Sequence, residues 1–92
     1  MFDFGYGYPK TTQIATTSGA SVAITNPVGD HIHCVRLIAD TECHVAIGKT
    51  PTATTSTVYL AADVAEYFVI HPGEKVAVIA DAAILNVTEI TR

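Results

Sequence analysis

Histidine, cysteine and carboxylate side chains are the groups through which a small protein could hold a metal or activate a nucleophile, and here they gather in two short runs. His31-Ile32-His33-Cys34 is one and Cys43-His44 is the other. Tetrahedral zinc sites draw their ligands from paired turns of the type C-x2-C followed by a second pair, and this spacing fits no such pattern. Read as strands, the two runs put His31 and His33 on the inward side and Cys34 and His44 on the other, so a sheet splits the cluster. No metal is expected within one chain, although a threefold axis could collect one histidine from each of three copies. Asp30 and His31 could act as orienter and base for a Cys34 nucleophile, but Asp30 follows Gly29 in a turn and Cys34 points away from His33. The chain has no nucleophile elbow, no Gly-rich loop from strand to helix and no acidic pair at a recognisable spacing. Asp63, Glu66, Glu74 and Asp81 lack the one-loop clustering of a calcium site and read as solvated charges at turns and strand ends. An enzyme is not expected, and no catalytic residue, metal ligand or cofactor is assigned.

Something other than chemistry must then account for the composition. The 92 residues are 49% hydrophobic and only 15% charged, which fits one domain with little room for insertions. A chain this short hides roughly two thirds of the surface its unfolded form exposes, so it is marginal alone and gains from an oligomer. Its charged share lies well below the usual value of about 25%, which leaves part of the outside to be covered by an interface. Five Lys and Arg against nine Asp and Glu give a net charge of −4, the wrong sign for nucleic acid. The first residues lack the basic end and continuous apolar run of a secretory signal, and no stretch reaches the roughly 20 apolar residues of a membrane span. The chain is expected to be soluble and made in the cytosol, with no membrane partner. Cys34 and Cys43 are too few for a disulfide framework and are expected to be free thiols.

No window sustains a helical stripe, and short runs rich in Val, Ile and Tyr recur between turn formers. That pattern predicts an all-β fold, a small antiparallel β-sandwich or barrel of about seven strands. The strands are expected at 11–15, 21–25, 33–39, 43–48, 66–70, 75–80 and 84–90. Asn26-Pro27-Val28-Gly29-Asp30 breaks the chain after the second of these. Residues 50–57, a Thr-rich stretch with no large apolar side chain, are expected as a surface loop, and 60–65 is ambiguous between an extended segment and one helical turn.

Two hairpins are predicted. His71-Pro72-Gly73-Glu74 has Pro and Gly where a type II turn wants them, which would pair Val69 with Val76 and Tyr67 with Val78. Phe68, Ile70, Ala77 and Ile79 would then form a second apolar face, and Phe68, Ile70 and Ile79 are assigned to a partner or oligomer interface. The second hairpin, with loop 40–42, sets Val35, Leu37 and Ala39 across from Ile47, Val45 and Cys43 on one apolar face. Cys34 and Cys43 then point to different sides and cannot be joined.

Of three Phe and four Tyr, four rings fall at every second position of the first eight residues: Phe2, Phe4, Tyr6 and Tyr8. Gly5 and Gly7 weaken any regular structure here, while a period of two aims all four rings one way in an extended segment. Residues 1–9 therefore read as an extended arm before a single domain at 10–92, with these four rings as partner-binding residues. Each ring offers on the order of 150 to 250 Å² to bury. Two landings stay open, a cap on the chain's own sandwich or a crossing to a neighbouring subunit or partner.

The run Cys34-Val35-Arg36-Leu37-Ile38-Ala39-Asp40-Thr41-Glu42-Cys43-His44-Val45-Ala46-Ile47-Gly48 and the Thr-rich loop from Pro51 are followed by Tyr67-Phe68-Val69-Ile70-His71-Pro72-Gly73-Glu74-Lys75-Val76-Ala77-Val78-Ile79 and by Leu85-Asn86-Val87-Thr88-Glu89. Together these segments, across 35–91, resemble small β-sandwich virion structural proteins of tailed bacteriophages. The resemblance rests on strand and turn patterns, excludes the arm and carries over no individual binding residue. It implies a capsid decoration or cement protein on the virion surface, assembled in the host cytoplasm. The expected protein is a homo-oligomer, a trimer by this resemblance, that stabilises the head by binding across the major capsid protein or other virion proteins. Two other roles remain open: a neck or tail connector or fibre-attached module, and a carbohydrate-binding module for host attachment.

Overall fold

Buried and less buried residues alternate through 34–39 and begin to do so at 43, and both runs are strands in the computed structural model, which describes residues 7–16 and 19–91, with the backbone alone at 7–10 and 91. The strands in chain order are β1 (Gly7–Thr16), β2 (Val22–Ala23), β3 (Cys34–Ala39), β4 (Cys43–Gly48), β5 (Val58–Leu60), β6 (Glu66–Val69), β7 (Lys75–Ile79) and β8 (Ala83–Thr91). No helix occurs among the described residues, so none there is long and apolar enough to cross a membrane.

These strands build two antiparallel four-stranded sheets, ordered β1-β8-β3-β6 and β2-β7-β4-β5. With β1 beside β2, the edge strands β6 and β5 share the opposite side of the sandwich. Every link between consecutive strands passes from one sheet to the other except that from β4 to β5. This strand order is that of a jelly roll, a sandwich of two Greek keys. The small all-β sandwich expected from the sequence is thus the observed fold. It has one additional strand, β5, three residues long and too short to leave a periodic signature.

The two expected hairpins are corrected. Across loop 40–42, β3 pairs with β6 and β8 while β4 pairs with β5 and β7. Val35, Leu37 and Ala39 do face Cys43 and Val45, but across the interior between sheets. The turn at 71–74 does form. The Glu74 N–H donates to the His71 carbonyl at 3.0 Å, and Gly73 takes a φ of 88° that its lack of a Cβ permits. It nevertheless joins β6 of one sheet to β7 of the other, so Val69 lies opposite Cys34 and Tyr67 opposite Arg36. Alternation says which side chains share the interior. It does not say whether their strands are hydrogen-bonded neighbours or stand about 10 Å apart in facing sheets.

The interior is filled from both sheets. Val35, Leu37, Leu85 and Val87 come from one, and Val45, Leu60, Val76 and Val78 from the other. One end is closed by the link from β2 to β3, which buries Ile24, Val28 and Ile32. Although β2 is shorter than the expected 21–25, the chain keeps beside β7 through Ile24 N–H to the Val76 carbonyl (3.0 Å) and Val28 N–H to the Glu74 carbonyl (2.9 Å). A turn then brings the Ile32 N–H to the Gly29 carbonyl at 3.1 Å and resets the alternation ahead of β3. Ile32 points in as a result, and His31 and His33, expected to face inward, are exposed. Glu89 is buried beside this link and accepts the Gly29 N–H at 3.4 Å.

β1 begins at Gly7 rather than at 11, so residues 7–9 belong to an edge strand instead of the arm. Pro9 is tolerated there because the register shifts between Gly7 and Lys10 and an edge strand needs only one side paired. In the loop after β4, Ala53 is buried and donates its N–H to Ser21 Oγ at 2.9 Å, while the Thr57 hydroxyl accepts from the Thr54 N–H and donates to the Thr54 carbonyl. The ambiguous segment 60–65 is not a helical turn. Ala62 bridges to Ala39, and Asp63 takes a left-handed φ of 59° with its N–H on the Ala39 carbonyl at 2.8 Å.

Core and surface should separate in a denaturation experiment. Leu85→Ala, at a fully buried position between β1 and β3, is expected to lower the free energy of unfolding by about 2–5 kcal/mol. Thr52→Ala, at an exposed position in the loop after β4 and away from the β5–β6 side chains, should change it by less than about 0.5 kcal/mol. Urea midpoints of both variants check the assignment.

Candidate functional site

The residues singled out by sequence do not converge on one site. Phe2, Phe4 and Tyr6 lie outside the described residues, and of Tyr8 only its backbone in β1 is described. Phe68, Ile70 and Ile79 do not share one face. Ile70 is completely buried, Phe68 is half-buried against the core from one sheet, and Ile79 sits on the outer face of the other. Their common face existed only in a β6–β7 hairpin, and the chain crosses between sheets at that turn.

The histidines and cysteines are dispersed in the same way. Cys34 lies on the outer face of the first sheet and His44 on the outer face of the second, while Cys43 points into the core and His31 and His33 are exposed before β3. Both thiols are free. Among the described residues no three His, Cys, Asp or Glu side chains come together as metal ligands.

Two features take the place of those assignments. The first is an apolar flank. Val58, Tyr59, Val64, Tyr67 and Val69 are all large hydrophobic side chains about half exposed or more, and all belong to β5, β6 or the link between them. Among the described residues only Ile84, of the exposed large hydrophobics, lies elsewhere. The flank follows from topology, because β5 and β6 are the two edge strands on one side and neither carries a neighbour beyond it. A side chain on an edge strand has protein on one side only, so even an inward-facing Val58 remains 51% exposed. Sequence periodicity cannot show this, since it does not reveal which strands are edges.

The second feature is a cleft at the end of the flank. Ile79, His44 and Tyr59 stand in one row across β7, β4 and β5 and form its floor. The Tyr59 and His44 rings meet edge to face, with centroids 5.5 Å apart and planes at 67°. Glu42 and Asp81, from the loops after β3 and β7, line it too, and the cleft, open to solvent, has a volume of about 430 Å³. Among the described residues no lysine or arginine lines it. Loss of surrounding water first, and then the Glu42 carboxylate, push the Tyr59 phenol above its ordinary range. Burial, followed by the charge of Asp40, does the same to the Cys43 thiol. Asp40 itself accepts the Ile84 N–H at 2.8 Å, which fixes its carboxylate at this end. The sequence marked Glu42 and His44 as loop and strand residues but gave no sign that β5 would bring Tyr59 beside them.

No protein-family model matches the chain, and no curated protein or solved structure matches it.

The Cys43 environment has a testable consequence. A thiol whose proton is held more tightly in the folded state adds stability that is intact at neutral pH and declines once pH climbs through the range where the unfolded thiol ionises. Urea midpoints taken at about pH 7 and about pH 10 should therefore fall further for the native sequence than for Cys43→Ala. On the native protein, a thiol reagent should modify half-buried Cys34 well before Cys43.

Proposed function

We propose that this chain is a non-enzymatic structural protein that works by covering its apolar flank with other polypeptides, as an oligomeric decoration or cement protein on a phage head. The observation that carries the reading is the concentration of Val58, Tyr59, Val64, Tyr67 and Val69 along one side of the sandwich. Tyr67 and Val69 face outward from one sheet and Tyr59 from the other, and exposed apolar side chains concentrated at one pair of edge strands are the kind of surface a partner covers. An edge strand with unpaired N–H and C=O groups is also a template for pairing with another chain.

Several further features support the same reading. The low charged share leaves little to keep that side solvated. Four aromatic residues in 1–8 provide a second apolar element, three of them ahead of the strand that begins at Gly7 on the edge opposite the flank and the fourth, Tyr8, within it. Jelly rolls serve as viral capsid domains, an analogy at the level of fold that agrees with the resemblance of residues 35–91 to phage virion proteins. Jelly rolls also serve as lectin domains, so a glycan-binding attachment module is the alternative from another class.

In this mechanism each copy buries its flank against a neighbouring copy, a trimer being the form the resemblance suggests, and the aromatic arm reaches a capsid subunit. Apolar area removed from water at roughly 25 cal/mol per Å² drives both contacts. Light scattering on the full chain should report a defined oligomer. Val69→Asp, on an exposed position, should shift it to monomer while the circular dichroism stays that of a β-sandwich. Deleting residues 1–6, which leaves β1 whole, should abolish binding to heads but keep the fold. In purified particles, copies spread over the whole head support the capsid role. A small number confined to one vertex would place the protein in the neck or tail instead, and a monomer that binds glycans would overturn the assembly reading.

A further inference from the structure

The cleft above the Ile79–His44–Tyr59 row has a chemistry the assembly reading does not use. We propose that it receives the guanidinium group of an arginine side chain presented by the protein partner that covers the flank. Three properties of the cleft select that group. Tyr59 is 51% exposed, so part of its ring is open to a planar cation that can stack on it. Glu42 and Asp81 line the same space from two different loops and offer carboxylate oxygens to the N–H donors of the guanidinium. Among the described residues the one ion pair is His71 with Glu74, at the opposite end of β7, so no described cation answers these two carboxylates.

The electrostatic environment separates a cation from a neutral ligand. Two of the ionisable groups that line the cleft, the Tyr59 phenol and the Cys43 thiol, hold their protons more tightly, first through burial and then through the carboxylates beside them, Glu42 and Asp40 respectively. A site that resists gaining further negative charge attracts a positive one, and a neutral sugar gains nothing from that field. The source of the side chain follows from continuity. Tyr59 belongs to both the flank and the cleft, so a partner lying along β5 passes the cleft's mouth. The inference rests on the assembly reading for this source alone, and the chemistry of the cleft stands apart from it.

A titration of the isotope-labelled full chain with Nα-acetyl-arginine amide, followed by amide chemical shifts, tests the proposal. Saturable shifts should cluster at Glu42, His44, Tyr59 and Ile79. They should weaken roughly tenfold in Glu42→Gln, through loss of a charge-assisted bond. Tyr59→Ala should weaken them about two- to fivefold and Tyr59→Phe, which keeps the ring, much less. High salt should weaken them, and the uncharged isostere Nα-acetyl-citrulline amide should produce none. Equal response to citrulline, shifts scattered over the surface, or no shifts in the folded native protein would overturn the proposal. Shifts at the same residues with methyl glucoside but not with the arginine probe would overturn it in favour of a neutral sugar. If the arginine probe fails while light scattering still shows the oligomer, the cleft assignment falls and the assembly reading survives. Binding of the probe by a chain that stays monomeric and never joins a head has the opposite meaning.

Discussion

The structure depends on one constraint: two apolar sheet faces must be pressed together by a chain that changes sheet at almost every turn. Leu37 and Leu85 in one sheet and Val45, Val76 and Val78 in the other are fully or almost fully buried only because both sheets are complete. Apart from the β4–β5 pair, no two hydrogen-bonded neighbours are consecutive in the chain, so neither sheet can be completed before the other. β1 pairs with β8 across nearly the whole chain, and β3 takes its two neighbours from β6 and β8. Loop closure is therefore costly before any burial offsets it, which is the regime of high contact order and slow folding. The ends of such a sandwich also need closing. Here Ile24, Val28 and Ile32 do so from a connection with no regular structure of its own, held to β7 by single backbone hydrogen bonds.

That constraint explains which parts of the fold were legible in the sequence. Side-chain alternation identified most strands, because the facing of Val35, Leu37 and Ala39 is a local property of the strand. The Pro72-Gly73 turn was equally local and forms as expected. Partner choice is not local. A tight turn between two strands normally implies a hairpin, and nothing in His71-Pro72-Gly73-Glu74 distinguishes a turn that closes a hairpin from one that steps between sheets. The misassignment of Ile70 to an interface follows from that alone, since it lies at the crossing and its side chain enters the core. His31 and His33 were misplaced for a smaller reason of the same sort. The turn from Gly29 to Ile32 shifts the phase by one just before β3 begins, and periodicity extrapolated across a turn carries no information.

The candidate site was the least legible part because it is made by edges. Tyr59 and Tyr67 sit in short strands, each paired on one side only, and exposure there depends on the absence of a next strand. Natural sheets usually protect such edges with charge, proline or a bulge. β1, the edge on the opposite side, carries both Pro9 and a register shift, whereas β6 offers a single Glu66 followed by Tyr67, Phe68 and Val69. One edge is thus blunted and the other is left open. That asymmetry is what a side destined for coverage requires, and it would be a liability on a solitary molecule.

Charge is distributed along the sandwich rather than across it, and this limits how copies can be arranged. Asp40, Glu42 and Asp81 gather at the end that holds the cleft, with Asp63 tied there through its N–H to the Ala39 carbonyl. The other end is mixed in charge, with Lys75 opposite Gly48, His71 paired with Glu74, and Glu89 beside Gly29. Copies packed side by side in the same direction through the β5–β6 flank bring their acidic ends together. At physiological ionic strength charges more than about 8 Å apart are largely screened, but those converging on one axis are not. Burial of Tyr67 and Val69 can outweigh such repulsion only if it is modest or locally neutralised. A cation lodged between Glu42 and Asp81 provides that neutralisation at the place where the repulsion is greatest. In the proposed assembly the apolar flank and the acidic cleft would be coupled, since the neighbour that covers the flank would also supply the arginine that offsets Glu42 and Asp81.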